Sequence, residues 1–240
     1  MPSWDFPAGG PVDLRVRIPA GDIVVSAAPT QAATVTLDGD DRTIAATRVE
    51  FDHDTLSIMV PEQSGLSRHG SVDAVVELPE GSSCRINTAS ADIRCTGELG
   101  ALDVSTASGD VSAERVSGQA RVTAASGDVS VETVAEANVE TASGDVRIGE
   151  ISGGADVRTA SGDVRIDAAS GPQANVKAAS GDITVAVVPG IGVYLDLSSL
   201  SGTVSSELEA DEETGRADMT LSCRTISGDV RVSRAVLPAR

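Results

Sequence analysis

The sequence predicts an all-β fold, a single-stranded parallel β-solenoid of about 18 residues per coil with three faces, started and capped by an irregular N-terminal β region. Three observations predict it. A Ser-Gly-Asp-Val phrase returns at nearly constant spacing, the apolar residues fall into columns when its copies are superposed, and the core has to be built from small aliphatic side chains. On the last point, the only aromatic residues among 240 are Trp4, Phe6, Phe51 and Tyr194.

Residues 1–80 form the irregular region. Val12–Ile18, Asp22–Ser26, Thr34–Leu37, Val49–Val60 and Val72–Leu78 are strand-like runs of unequal length, separated by Gly, Pro and Asp clusters. They hold three of the four aromatics and both histidines, His53 and His69. The end of a solenoid exposes strand edges that invite aggregation, so this region is expected to cap the stack.

Residues 81–240 form the solenoid, continuous with that cap. The phrase places Asp92, Asp110, Asp128, Asp145, Asp163 and Asp182 at intervals of 18, 18, 17, 18 and 19 residues. Further copies at Thr203 and Asp229 follow after 21 and 26. One residue after each Asp stand Ile93, Val111, Val129, Val146, Val164 and Ile183, and three after stand Cys95, Ala113, Val131, Ile148, Ile166 and Val185. Six before stand Ile86, Val104, Val122, Val139, Val157 and Val176, and eight before stand Cys84, Leu102, Ala120, Ala137, Ala155 and Ala174. These columns are the expected interior, while polar residues between them face solvent. Positions two apart share a strand face, yet the columns before and after the Asp are an odd number apart, so the chain must turn a corner between them. Ala-Ser-Gly-Asp supplies the turn chemistry. A second corner is marked by Val116-Ser117-Gly118, Ile151-Ser152-Gly153 and Ala169-Ser170-Gly171. Helical periodicity is nearly absent from Gln31 to Val236. The far end is expected to close with Val193–Ser206, an acidic loop at 207–218, and the pair Met219–Thr225 and Ser227–Ser233.

With 36 acidic against 18 basic residues, the net charge is −18. That balance disfavours sequence-independent binding to nucleic acid, which needs a basic, counterion-releasing surface, and no nucleic-acid partner is expected. Direct membrane insertion is not expected, because the longest apolar run, Val185–Val193, is broken by Pro189 and Gly190. Three cysteines without CxxC spacing read as reduced thiols, and the first residues lack a basic-then-apolar leader pattern, so the expected location is cytoplasmic.

The six aspartates form one turn column, where turn N–H groups and Arg94, Arg147 and Arg165 are expected to offset their mutual repulsion of under about 1 kcal/mol per neighbour. A calcium ladder is not expected, since the other corner supplies no carboxylate. No catalytic residue, cofactor-binding motif or metal spacing stands out, and the histidines read as solvent-facing or capping. Cys95 stands in an inward column and reads as a small core residue. Thr88, Thr106, Thr141 and Thr159 form a column whose parity places it inward or at the corner. Arg147, Arg158, Arg165 and Lys177 concentrate positive charge in neighbouring coils of an acidic chain and are the candidate protein-binding face.

The Thr-Ala-Ser-Gly-Asp-Val phrases, with Pro19–Val25 and Val75–Gly81 before them, resemble the bacterial "putative adhesin", or toast-rack, family of β-solenoid domains, from about Phe6 to Ala235. The resemblance implies one solenoid domain without catalytic residues, often found near envelope-stress systems and regarded as an assembly or interaction platform. The expected function is a non-catalytic scaffold for an unidentified protein partner. The alternatives are an extracellular adhesive domain or a carbohydrate-active β-helix enzyme, the latter needing a carboxylate pair that the sequence does not reveal. Nothing in the sequence specifies an oligomeric state.

Overall fold

The computed structural model describes residues 1–61, 70–208 and 217–236. His69 and the acidic run Glu209, Asp211, Glu212 and Glu213 lie outside the described residues. The chain divides into two compact units, Met1–Gly127 and Asp128–Arg240.

The first unit contains β1 (Ser3–Pro7), β2 (Asp13–Arg17), β3 (Ala20–Ala28), β4 (Ala32–Gly39), helix α1 (Asp41–Ala46), β5 (Arg48–Asp52), β6 (Thr55–Met59), β7 (Val72–Pro79), β8 (Ser83–Leu99), β9 (Ala101–Ser108) and β10 (Val111–Ser126). The long strand β8 bends at the Asp92 corner, so its two halves lie on different faces. The first half pairs in parallel with β9 and β2, setting Cys84 beside Leu102 and Leu14. The second pairs in parallel with β10 and β3, setting Ile93 beside Val111 and Ile23. Parallel stacking continues through β6 on β2 and β7 on β3. Beyond them it changes sense, because β5 pairs antiparallel with β6, β4 with β7, and β1 with β4. Phe6 of β1 and Phe51 of β5 stack with ring centroids 5.3 Å apart, tying the two outer strands together.

Three local features depart from the sequence reading. The run Val49–Val60 is a hairpin, broken at His53 and Asp54, whose φ angles of 45° and 62° put both in the left-handed region that Asp and His tolerate better than most residues. β1 was not anticipated. Nor was α1, which forms because the Asp40 side chain accepts the N–H groups of Arg42 and Thr43 at 3.1 and 3.0 Å and also the Thr43 hydroxyl.

The second unit contains β11 (Val129–Ser143), β12 (Val146–Ile151), β13 (Ala155–Ser161), β14 (Val164–Ala169), β15 (Gln173–Ser180), β16 (Ile183–Val187), β17 (Val193–Ser201), β18 (Val204–Ser206), β19 (Met219–Ser227) and β20 (Val230–Arg234). All its strand pairs are parallel. One face runs β11–β13–β15–β19–β17 and the other β11–β12–β14–β16–β20–β18. The last two coils are therefore out of sequence order. The β17–β18 coil is outermost, and the chain returns to insert β19–β20 between it and the β15–β16 coil.

The inward columns are buried as expected, with Val129, Val146, Val164, Ile183 and Val230 each at most 1% exposed. Burial also falls on Val116, Val134, Ile151 and Ala169, six after the Asp. The step from the third to the sixth position is odd, so each coil bends again there and presents a third face. Thr106, Thr141 and Thr225 are buried beside the corner and donate their hydroxyls to the carbonyls of Ser108, Ser143 and Ser227.

Candidate interaction surface

At the turn corner the aspartates form a ladder of side chain to backbone bonds. Asp92 Oδ1 accepts the Asp110 N–H at 2.9 Å in the first unit. In the second, Asp128, Asp145, Asp163 and Asp182 accept the N–H groups of Asp145, Asp163, Asp182 and Asp229 at 2.8 Å each. Asp229 accepts the Thr203 N–H at 2.7 Å, and there the ladder ends, at the outermost coil, in a residue without a carboxylate. The like charges are thus offset by one charge-assisted hydrogen bond per coil. Arg147 and Arg165 take no part. Among the described residues no three His, Cys, Asp or Glu side chains gather to hold a metal ion.

The corner separates the four candidate cations into two pairs on different faces. Arg147 and Arg165 are register neighbours on β12 and β14, and both guanidiniums go to Asp167. Arg158 and Lys177 are neighbours on β13 and β15, and Arg224 of β19 continues their column. The last is a basic residue the sequence reading did not group with them, because the inserted coil brings it there from 47 residues downstream. Arg158 pairs with Asp156 at 2.6 Å and Arg224 with Asp196 at 2.6 Å. The hydrogen bond from Arg224 holds the Asp196 carboxyl below the usual carboxylate range. Lys177, between them and exposed, has no carboxylate partner among the described residues. Neighbouring strands lie about 4.8 Å apart, so three cations stand in a short straight file.

Two shallow depressions lie among described residues of the first unit. One depression of about 170 Å³ is lined by Arg17, Ile18, Pro19, Val60, Asn87 and Thr88. Another, of about 270 Å³, borders Asp13, Cys84, Arg85, Asp103 and Arg121. Burial pushes the Cys84 thiol well above its ordinary range, so it offers no nucleophile there. His53 sits exposed on its hairpin turn 2.6 Å from Asp52, which raises its pKa by accepting a hydrogen bond from the protonated ring. Cys84, Cys95 and Cys223 are all buried free thiols. No helix among the described residues is long and apolar enough to cross a membrane.

The family described as Toastrack DUF4097 matches residues 13–234. No curated protein matches the sequence. Among solved structures, a "putative adhesin" from Bacteroides fragilis is similar at 11% identity and a TM-score of 0.59, over 96% of this chain and 95% of that one. A "putative lipid binding protein" from Parabacteroides distasonis matches at 13% identity and a TM-score of 0.45, over 96% of each chain. A "putative cell adhesion protein" from Clostridium sporogenes matches at 12% and 0.35, over 97% and 99%. At such identities the first likeness is one of fold.

Proposed function

Since this chain belongs to the Toastrack DUF4097 family, we propose that it is a non-catalytic protein-interaction scaffold that docks an acidic segment of its partner along the Arg158–Lys177–Arg224 column. One observation carries the reading: in a chain of net charge −18, three cations stand in register and the middle one, Lys177, has no carboxylate partner among the described residues. The inward columns are consumed by packing, so binding falls to outward side chains held in fixed register by the ladder of strands. Arg147 and Arg165 are less suited because they share Asp167. The proposed location is the cytoplasm, where reduced, buried thiols are at home.

A photo-crosslinking residue at Lys177 in native cells identifies the partner, and titration of the purified pair measures it. Arg158→Glu with Lys177→Glu should weaken binding at least tenfold and lower its salt dependence, while Arg147→Glu with Arg165→Glu changes it little. Equal binding by the first variant and the unaltered protein would overturn the reading. A second reading, a surface-displayed adhesive domain, is favoured by the description of the Bacteroides fragilis structure. Protease shaving of intact cells distinguishes the two, since only a displayed domain is degraded.

A further inference from the structure

We propose that the chain forms a closed, two-fold dimer through the outer edge of the β17–β18 coil, with β17 of one copy pairing antiparallel to β17 of the other. Among the described residues β17 pairs only with β19, so its other edge offers unpaired backbone donors and acceptors. Its inward residues Val193, Leu195 and Leu197 continue the column of Met219, Leu221 and Cys223. Those three are at most 1% exposed, whereas the β17 residues are only half-buried, with no further coil over them among the described residues. Exposed apolar side chains cluster on the same coil, with Tyr194 at 62%, Leu200 at 83% and Val204 at 42%.

Natural sheets guard such edges with Lys, Pro, bulges or very short strands. β17 has none of these over nine residues. The first unit treats its outer strand differently, alternating Arg48, Glu50 and Asp52 along β5.

The occupant that fits is a second copy. Between Val193 and Ser206 the one charge is Asp196, already paired with Arg224, so bringing two such edges together costs little repulsion in a chain that is otherwise strongly acidic. The strand is also self-complementary. Antiparallel pairing centred on Leu195 sets Leu195 against Leu195 and Val193 against Leu197 on the inward side, and Tyr194 against Asp196 on the outward side. Head-to-tail stacking fits less well. A further parallel coil would donate its corner N–H to a carboxylate at position 203, and that position holds Thr203, where the Asp ladder stops. The assembly therefore closes as a dimer rather than growing into a fibre.

Sedimentation velocity of the full chain between about 1 and 300 µM, the range suited to a small interface, tests this. The expected result is a monomer–dimer equilibrium reaching twice the 24.3 kDa chain mass. Tyr194→Asp sets two carboxylates against each other at both symmetric positions and should weaken dimerisation about tenfold or more, while Tyr194→Lys faces Asp196 and should retain it. Tyr194 is exposed, so both variants should keep the far-UV spectrum and melting midpoint of the unaltered chain. A monomer throughout the range, an open-ended polymer, or equal responses to Asp and Lys at position 194 would overturn the proposal.

Discussion

Replacing Gly162 with alanine tests the stacked corner most directly. Gly162 has a φ of +135°, and a Cβ added there would lie 2.1 Å from the Gly144 carbonyl oxygen of the preceding coil and 2.6 Å from its carbon. These are backbone atoms, so no side-chain rotation relieves the contact. An ordinary C···O approach is about 3.3 Å or more, so the coils must part by roughly 1 Å. Three bonds join these two coils at the corner: Gly144 N–H to Ser161 O at 3.0 Å, Val146 N–H to Asp163 O at 2.9 Å, and Asp163 N–H to Asp145 Oδ1 at 2.8 Å. A displacement of that size breaks one or two of them, at about 1 kcal/mol each, and the disfavoured backbone conformation adds about 1–3 kcal/mol. The expected loss is about 2–5 kcal/mol. Gly154→Ala is the control, because nothing lies within 4 Å of its Cβ position. Urea unfolding followed by far-UV circular dichroism, with a slope of about 2–3 kcal/mol per molar, should lower the Gly162→Ala midpoint by roughly 1.5 M and leave Gly154→Ala within a few tenths. Coincident midpoints would refute the close stacking of Gly162 on Gly144.

Three further outcomes follow from burial. Val146→Asp should cost several kcal/mol in the same assay, because Val146 lies buried between Val129 and Val164, whereas Asp145→Asn should cost under about 1 kcal/mol since the amide oxygen still accepts the Asp163 N–H. Thr159 Oγ1 is buried without a hydrogen-bond partner, so Thr159→Val should be neutral or stabilising by about 1 kcal/mol, while Thr106→Val forfeits a 2.8 Å bond to Ser108 and should lose about as much. Burial pushes the Cys95 and Cys223 thiols up to about 12 and Cys84 well above its ordinary range, so an aromatic disulfide reagent at pH 8 should find no reactive thiol in the native protein and three after unfolding.

The period of the sequence determined the coil, the inward columns and the corner. Alternation sets strand faces, and an odd step between buried columns forces a turn wherever it occurs, so Val111 beside Ile93 and Val164 beside Val146 were legible from spacing alone. Tertiary structure decided the rest, for reasons of competition and distance. Both β17 and β19 carry alternating apolar residues, so periodicity could not say which lies outside. The inner place goes to β19, which buries Met219, Leu221 and Cys223 fully and is followed by Asp229, whose carboxylate serves the next coil. That inversion places Arg224 beside Lys177, while the corner parts Arg147 and Arg165 from Arg158. A column in the sequence says which residues share a depth in the coil, but not which carboxylate each cation reaches. Asp167 takes both Arg147 and Arg165 because it faces solvent two residues along the same strand face as Arg165, a relation visible once coils are stacked. α1 is six residues long, too short for periodicity to register, and rests on the Asp40 cap. β1 pairs antiparallel at an edge and follows no column. Short-range pattern specifies the repeat because each coil sees the same neighbours above and below; where that sameness ends, long-range packing chooses among segments the pattern leaves equivalent.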